Sequence, residues 1–297
     1  MVNLQIIIER EKSNVTLPIK SDRTFSDPSS LSNPTNTRLN QNVVGLTRSD
    51  NGASILKKIG AEVHRGTLDD LDSFNSGVVA ADGVIHLAFN HDFSNFDGAL
   101  ATDLLVVKAM GAALEGSGKP FVTTAHANGE ASDNAVIALA ERGVRAAVVS
   151  LSPTVHGEGD KGFVPRLINI ARAKGFSAYV GDGSNRWPAV HRLDAALLYR
   201  LALEKASAGS RLYGRAEEGV PFRDIAEIIG KHLNLPVVSI SREEAGAHFG
   251  FLGTIVAIDI PSILPGSSVK TRELLGWRPV HPTLISDLEQ GHYFKSI

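Results

Sequence analysis

The chain has 297 residues, of which 43% are hydrophobic and 21% charged, and its formal net charge is -2. Such a chain can bury one large core, or a core and a smaller lobe. The near-neutral charge predicts no nucleic-acid partner and no membrane surface. The sequence contains no cysteine, which excludes disulfides and thiolate metal sites and suits a reducing compartment. We therefore expect a cytoplasmic protein whose partners are small molecules or other proteins.

The first 42 residues differ in composition from the rest. The apolar stretch that ends at Ile8 predicts a first strand over residues 2–8, apolar enough for the centre of a sheet. Residues 13–42 are rich in Ser, Thr, Asn and Pro and lack a sustained apolar period. We predict that residues 13–40 form an irregular or poorly ordered loop, because this composition cannot repay the entropy of ordering. Residues 1–42 are therefore treated as a separate, largely irregular segment.

Strands and helices alternate from residue 43 onward. Strands are predicted over 43–47, 61–64, 83–89, 120–124 and 144–151, and helices over 53–59, 98–114 and 135–142. This alternation predicts an α/β fold with a Rossmann-like, doubly wound parallel sheet. Beyond residue 155 we predict helices over 163–173, 194–204 (capped by Asp194) and 222–233, helices opening near 242 and 284, and short strands over 178–180 and 236–240. This second half, residues 156–297, is predicted to be a smaller α+β lobe.

Four segments, taken in chain order, resemble one known family. They are GLTRSDNGASILKKIGAEVHRGTLDDLDSFNSGVVAADGVIHLAF (45–89), PTVHGEGD (153–160), GDGSNRWPAVHRLDAA (181–196) and TRELLGWRP (271–279). The family is the extended or atypical short-chain dehydrogenase/reductases, also called the NAD-dependent epimerase/dehydratase family. The resemblance implies a dinucleotide-binding domain over 43–155, with residues 156–297 as a substrate lobe interleaved with the sheet. It also implies an oxidoreductase or epimerase acting on a small carbonyl or hydroxyl compound, and it allows a homodimer.

The resemblance points to five cofactor-binding residues between positions 45 and 89. In this family an acidic residue after the second strand selects NAD, whereas arginine pairs with the phosphate of NADP. Arg48 stands at this place, so NADP is the expected cofactor and NAD the alternative; a solvated loop arginine would look the same. Thr67 and Leu68 match the turn that lies against the adenine, although Thr67 lacks the usual carboxylate. Ala88 and Phe89 match positions that line the ribose, or are simply core residues at a strand end.

Two features of the family are missing. The family holds the pyrophosphate on a G-x-x-G-x-x-G run between the first strand and the first helix. Here the first glycine is Gly45, so an altered or misassembled N-terminus is the simplest interpretation, with cofactor binding weak or lost. The family also transfers a proton through a Tyr with Lys four residues later. None of the four tyrosines has Lys at that position.

Three residues near the end of the predicted 120–124 strand are candidate site residues. In the family, a Ser or Thr at this strand end polarises the substrate oxygen, which Thr124 matches, while Thr123 is placed with the cofactor. His126 is a candidate acid or base, with a plain surface histidine as the alternative. Thr124 and His126 are thus predicted catalytic residues.

Further candidates lie in the second half of the chain. Pro153 and Val155 match a turn that approaches the nicotinamide, and His156 beside them is a third catalytic candidate. Arg186 and His191 lie in the segment that walls the substrate pocket in similar proteins. No metal-ligand spacing such as H-E-x-x-H occurs, so no metal is expected. The competing hypothesis is a non-catalytic relative that senses a ligand or binds a protein, which the missing Tyr/Lys pair favours.

Overall fold

A computed structural model describes residues 5–10, 41–90, 95–263 and 266–295. The predicted irregular loop over 13–40 lies outside these residues. None of the described helices is long and apolar enough to cross a membrane.

The structure contains strands and helices in alternation over most of the chain. The strands are β1 (Gln5–Arg10), β2 (Gln41–Thr47), β3 (Glu62–Arg65), β4 (Gly83–His86), β5 (Pro120–Thr124), β6 (Arg145–Leu151), β7 (Thr154–His156), β8 (Ser177–Val180), β9 (Arg186–His191), β10 (Ser210–Gly214), β11 (Glu217–Pro221) and β12 (Val237–Ile240). The helices are α1 (Asp50–Lys58), α2 (Asp72–Ala80), α3 (Phe96–Leu114), α4 (Glu130–Ala138), α5 (Phe163–Lys174), α6 (Arg192–Lys205), α7 (Phe222–Leu233), α8 (Arg242–Phe249), α9 (Gly253–Val256), α10 (Ile260–Ile263), α11 (Val269–Leu275) and α12 (Leu284–Glu289).

The main sheet has seven strands in the order β10-β6-β5-β4-β1-β2-β3. β2 runs parallel to β3, and β4 runs parallel to β5. Two small sheets have the orders β11-β9-β7 and β12-β8. The predicted α/β fold with a Rossmann-like sheet is thus confirmed.

The first strand lies in the centre of the sheet, as predicted, but it runs against its neighbours. β1 pairs antiparallel with both β2 and β4. Its last residue, Arg10, pairs with Gln41 at the start of β2, while Gln5 pairs with Leu46 near the end of β2. The chain therefore leaves β1 at the edge where the parallel strands begin. In a Rossmann fold the segment after the first strand starts at the opposite edge, where the strands end.

Apolar side chains cover both faces of this sheet. Successive residues of a strand point to opposite faces. On β2, Val44 and Leu46 join the large core formed with α2, α3 and α4, whereas Val43 packs with Leu56 of α1 and Ala61. Helices on both faces are the defining feature of a doubly wound sheet.

Helices α1, α3, α4 and α6 begin earlier than the sequence pattern indicates, whereas α5 and α7 begin at the predicted residues. α1 begins at Asp50, not residue 53, because the Ser49 side chain caps it by accepting from the Gly52 amide at 3.0 Å. α4 begins at Glu130, five residues before the predicted start. The prediction that Asp194 caps α6 is wrong, since α6 begins at Arg192 and the Asp194 carboxylate accepts from the amides of residues 280 and 281.

The chain divides into two compact units. One comprises Met1–Val148 with Ala202–Arg211, and the other Val149–Leu201 with Leu212–Ile297. The predicted domain limits at 43–155 and 156–297 stay predictions. The segment Ala202–Arg211 is hydrogen-bonded to β6 within the first unit. The Arg145 guanidinium donates to the carbonyls of Leu203 and Ala206, and the Gly209 amide donates to the Ala146 carbonyl at 2.8 Å.

The second unit has its own core around an aromatic group. Trp187 is fully buried, with its ring 5.0 Å from Phe222 and 5.9 Å from Phe163. Its indole nitrogen donates to the Ile255 carbonyl at 3.3 Å. The apolar faces of α5, α7 and α8 complete this core.

Candidate functional site

A cleft opens in the first unit near the carboxyl ends of β2, β3 and β4. These three strands run in one direction, since β1 is antiparallel to both β2 and β4. In open α/β sheets, ligands bind outside the carboxyl ends of the strands. The cleft is lined by Leu46, Thr47, Arg48, Ser49, Gly66, Thr67, Leu68, Asp69, Ala88, Asn90 and Thr102. The structure thus brings Arg48, Thr67, Leu68 and Ala88 together, and their role in binding a cofactor stays a prediction.

One wall of the cleft is the junction of β2 and α1. The Thr47 side chain is buried, and a Cβ at Gly52 would lie 2.1 Å from its hydroxyl oxygen, so only glycine permits this close approach. Arg48 projects from the junction as an exposed residue and makes no ion pair with any described residue. Neighbouring Arg65, by contrast, pairs with Asp50. Arg48 is therefore the guanidinium available to an anionic ligand in this cleft.

A second part of the cleft lining is the turn that follows β3. Ser73 holds the turn, because its hydroxyl accepts from the Thr67 amide at 3.0 Å and donates to the Asp70 carbonyl at 2.6 Å. The turn presents half-buried Leu68 and exposed Asp69 to the cleft. Sequence matching found no carboxylate at Thr67 and did not weigh Asp69, whose Oδ2 accepts from the Thr67 hydroxyl at 3.3 Å. A carboxylate is thus present in the cleft lining two residues after Thr67.

Phe89 and Thr123 do not line the cleft. Phe89, between the cleft residues Ala88 and Asn90, is buried and stacks on His126 with ring centroids 3.9 Å apart. Thr123 is buried within β5. Thr124 is half-buried, and its hydroxyl lies 3.5 Å from the His86 carbonyl oxygen. The segment 88–90 therefore joins the cleft to His126.

A buried carboxylate that the sequence analysis did not consider lies beside His126. Asp103 of α3 accepts from His86 Nε2 at 3.1 Å, and His126 Nε2 lies 3.9 Å from the same oxygen. Burial alone would raise the pKa of Asp103, but hydrogen bonds from His86 and Ser132 and the electrostatic attraction of the His86 and His126 rings hold this pKa below its usual value. We call His86, Asp103, His126 and Ser132 the Asp103 cluster.

Asp133 of α4 lies near the Asp103 cluster, but its pKa is shifted upward rather than downward. Burial raises its pKa to about 6, and the charges of Asp103 and Glu130 add to the rise, against the attraction of Arg211. Its carboxylate lies 3.7 Å from the Arg211 guanidinium. Between about pH 4 and 6 the folded chain keeps a proton on Asp133 that the unfolded chain has released, so this group stabilises the fold less as pH rises through that window.

We therefore expect Asp133→Asn to raise the melting temperature at pH 7.5, by about 2–4 °C per kcal/mol regained. The gain should shrink at pH 5, where the native Asp133 is protonated. Scanning calorimetry at both pH values measures this difference. Glu141→Gln, an exposed charge on the adjoining 3-10 helix, is the control and should change neither melting temperature. An equal gain at both pH values would contradict the assignment.

In the second unit, His156 is completely buried. Its Nδ1 donates to Asp287 at 2.8 Å, and its Nε2 has no hydrogen-bond partner among the described residues. Pro153 and Val155 nearby in sequence are half-buried. A catalytic role for His156, which stays a prediction, would need the ring to become accessible.

One group of His and Asp side chains in the described part of the chain approaches the spacing of metal ligands: His191, Asp194 and His281. The Asp194 carboxylate accepts from His281 Nδ1 at 2.8 Å and from two backbone amides. The His191 and His281 rings stack within 11° of parallel, so their nitrogen lone pairs do not converge on one ion. Burial and the neighbouring His156 and His281 lower the pKa of His191 to about 4. This group therefore anchors the chain after Trp277, whose indole nitrogen donates to the Asp194 carbonyl.

Arg186, a predicted substrate residue, is held within its own unit. Its guanidinium forms two hydrogen bonds of 2.9 Å with the Asp259 carboxylate, and its backbone amide donates to the same group. A bidentate pair of this kind occupies the fork that would otherwise recognise a phosphate or carboxylate.

Two yeast proteins are similar to this chain over most of its length. Uncharacterized protein C2A9.02 of Schizosaccharomyces pombe is 46% identical over 273 residues, covering 85% of this chain and 91% of that protein. Uncharacterized protein YLL056C of Saccharomyces cerevisiae is 42% identical over 276 residues, covering 84% and 90%. The chain belongs to their family. No protein-family model matches it.

Solved structures of other proteins are similar to this chain at the level of the fold. DesIV, a dTDP-glucose 4,6-dehydratase from Streptomyces venezuelae crystallised with NAD, has a TM-score of 0.65 at 13% identity, covering 84% of this chain and 86% of that one. RMD from Pseudomonas aeruginosa, complexed with NADPH, has a TM-score of 0.57 at 17% identity, covering 77% and 87%. The chain thus has the fold of nicotinamide-dependent dehydratases and related enzymes.

Proposed function

We propose that this chain binds NADP and acts as an oxidoreductase or epimerase on a small carbonyl or hydroxyl compound. The observation that carries the proposal is the cleft at the carboxyl ends of β2, β3 and β4, where Arg48 presents a guanidinium without an ionic partner among the described residues. Structural neighbours crystallised with NAD or NADPH support a nicotinamide cofactor.

The cleft fits the adenosine half of such a cofactor. Leu68 offers an apolar surface to an adenine ring and Asp69 an acceptor for its amino group. Arg48, at the Ser49-capped start of α1, offers charge and donors to a ribose phosphate. The pyrophosphate half fits less well. The chain leaves β1 at the edge of the sheet away from the cleft, so the segment after β1 does not begin beside the cleft as a phosphate-binding loop would.

Thr124 and His126 are the residues that we place at the reacting end. When bound, the nicotinamide would supply or accept a hydride. The Thr124 hydroxyl would donate to the substrate oxygen, and His126, fixed against Phe89, would exchange a proton with it. This assignment gives the site an acid/base group without the Tyr/Lys pair.

A non-catalytic ligand sensor is the second candidate. The direction of β1 favours it, because a weakly held pyrophosphate is compatible with binding an adenosine phosphate but less so with turnover. NADPH oxidation in the presence of a panel of aldehydes and ketones tests the oxidoreductase. Binding without any oxidation across the panel would contradict an oxidoreductase for these compounds and leave the sensor or an epimerase, which regenerates its cofactor in each turnover.

We expect Arg48→Ala to weaken NADP binding about 10- to 100-fold and NAD binding less than threefold, because hydrogen bonds to a charged group contribute about 1.5–3 kcal/mol each. Calorimetric titration with NADP, NADPH and NAD measures this. Lys58→Ala, which removes an exposed charge from the other end of α1, is the control. Equal losses for NADP and NAD would mean that Arg48 does not bind the ribose phosphate that distinguishes NADP from NAD.

A further inference from the structure

Asp103 is a charged side chain in a place that is costly for a charge. It lies on α3 between apolar residues of the core, and its side chain is 4% exposed. A buried carboxylate persists only when hydrogen bonds and an opposite charge compensate it. Two elements supply hydrogen bonds directly: β4 through His86 and α4 through Ser132.

His86 is poorly suited to supply the opposite charge. Its Nε2 faces Asp103, but its Nδ1 is buried without a hydrogen-bond partner among the described residues. A protonated His86 would therefore bury an N–H group without an acceptor, which carries a free-energy penalty that neutral His86 avoids. Ser132 is uncharged. The remaining cation of the Asp103 cluster is His126, with Nε2 at 3.9 Å.

His126 is held where such a charge would be useful. Its ring stacks on Phe89 at 3.9 Å, and Phe89 in turn packs edge-on against Phe96 at 5.9 Å. The ring follows the end of β5 by two residues and is 17% exposed, so it can exchange protons with a ligand or solvent. At 3.9 Å the carboxylate is beyond hydrogen-bond range of this nitrogen, but an opposite charge within about 4–6 Å stabilises the protonated form of an imidazole.

We propose that Asp103 is a positioning residue that keeps a proton on His126, so that the Asp103–His126 pair replaces the missing Tyr/Lys pair. In the direction of reduction, bound NADPH would supply a hydride to the carbonyl carbon, while an N–H bond of the imidazolium breaks and an O–H bond forms on the substrate oxygen. Solvent then returns a proton to the neutral ring. The identity of the proton acceptor rests on the proposed function. Proton retention by His126 does not.

The titratable groups around the pair come from four elements. His86 lies on β4, Asp103 on α3, and Glu130 and Asp133 on α4, with Arg211 of β10 beside Asp133. Asp133 changes charge in the same pH range as histidine, so Asp133→Asn is needed as a parallel sample. Asp97→Asn, on the exposed first turn of α3, is the matched control for Asp103→Asn.

The test is a pH titration of the histidine ring nitrogens by NMR on the full chain labelled with ¹⁵N-histidine, with His126→Gln identifying the His126 signals. We expect His126 to stay protonated above the ordinary histidine midpoint of about 6.5. Asp103→Asn should lower the His126 midpoint by about one pH unit, a tenfold loss of proton affinity. Asp97→Asn and Asp133→Asn should not lower it.

An unchanged His126 midpoint in folded Asp103→Asn would overturn the proposal. Should that variant fail to fold, the native chain alone decides, because a native midpoint at or below 6.5 contradicts proton retention. Calorimetric titration of the same samples with NADPH separates the role proposed for Asp103 from the proposed function of the chain. If NADPH does not bind but the titration behaves as expected, the proposed function fails and the role of Asp103 stands.

Discussion

Replacing residues 1–42 with a glycine-rich strand–loop–helix should tighten NADPH binding at least about a hundredfold. In the native chain, β1 is antiparallel to its neighbours, so the chain that follows it starts at the edge away from the cleft. A parallel first strand would bring its loop and the next helix N-terminus to the cleft. Three regained backbone bonds to the pyrophosphate would contribute about 4–9 kcal/mol, and a hundredfold needs only about 2.7 kcal/mol.

Calorimetric titration of both chains with NADPH measures this gain. The matched control carries the same replacement with its loop glycines changed to valine, which keeps the strand and helix but blocks the approach of the pyrophosphate. Turnover should rise less than binding, because the replacement leaves Thr124 and His126 unchanged. Equally tight binding by the native chain would show that it makes its phosphate contacts without a glycine-rich loop.

The largest expected loss of stability comes from Trp187→Ala in the second unit. The side chain is fully buried between two aromatic rings, so its removal should lower the free energy of unfolding by about 3–5 kcal/mol. Trp277 is then the remaining tryptophan of the chain, and it is buried in the same unit. Urea unfolding followed by Trp277 fluorescence therefore reports on the affected unit.

Two controls define this result. Trp187→Phe keeps most of the aromatic contact and should lose markedly less stability than Trp187→Ala. Phe251→Ala removes an aromatic ring that is half-exposed, and its cost should stay below about 1 kcal/mol. A Trp187→Ala loss no larger than that of Phe251→Ala would mean that the ring is not central to this core.

Elements with a strong local pattern were predictable from the sequence. The bounds of α7, Phe222–Leu233, match the prediction, because its apolar face repeats with the helical period and Asn234 ends it in the left-handed conformation. Helix α2 was missed, because Asp72–Ala80 contains Ser, Asn and Gly, which favour turns. Its helix is stabilised by tertiary packing of Phe74 and Val78, four residues apart on one face.

Residues whose partners are distant in sequence were the least predictable. Asp194 has the position and chemistry of a helix cap, yet its acceptor oxygens are used by residues 280 and 281. Strands β7, β9, β10 and β11 were missed because they lack a continuous apolar run and find their partners through tertiary structure. One feature of the sequence could have identified Asp103. It is an acidic residue among mostly apolar residues of a predicted helix, and such a residue indicates a buried charge with a specific partner.

The return of Ala202–Arg211 to the first unit has a consequence for synthesis on the ribosome. When residue 148 has been made, Arg145 and Ala146 still lack the partners that Leu203, Ala206 and Gly209 later provide. The first unit therefore cannot complete its hydrogen bonding until more than 60 further residues have emerged. A nascent chain stalled in that interval presents an unfinished sheet edge, the kind of surface that chaperones and aggregation both recognise.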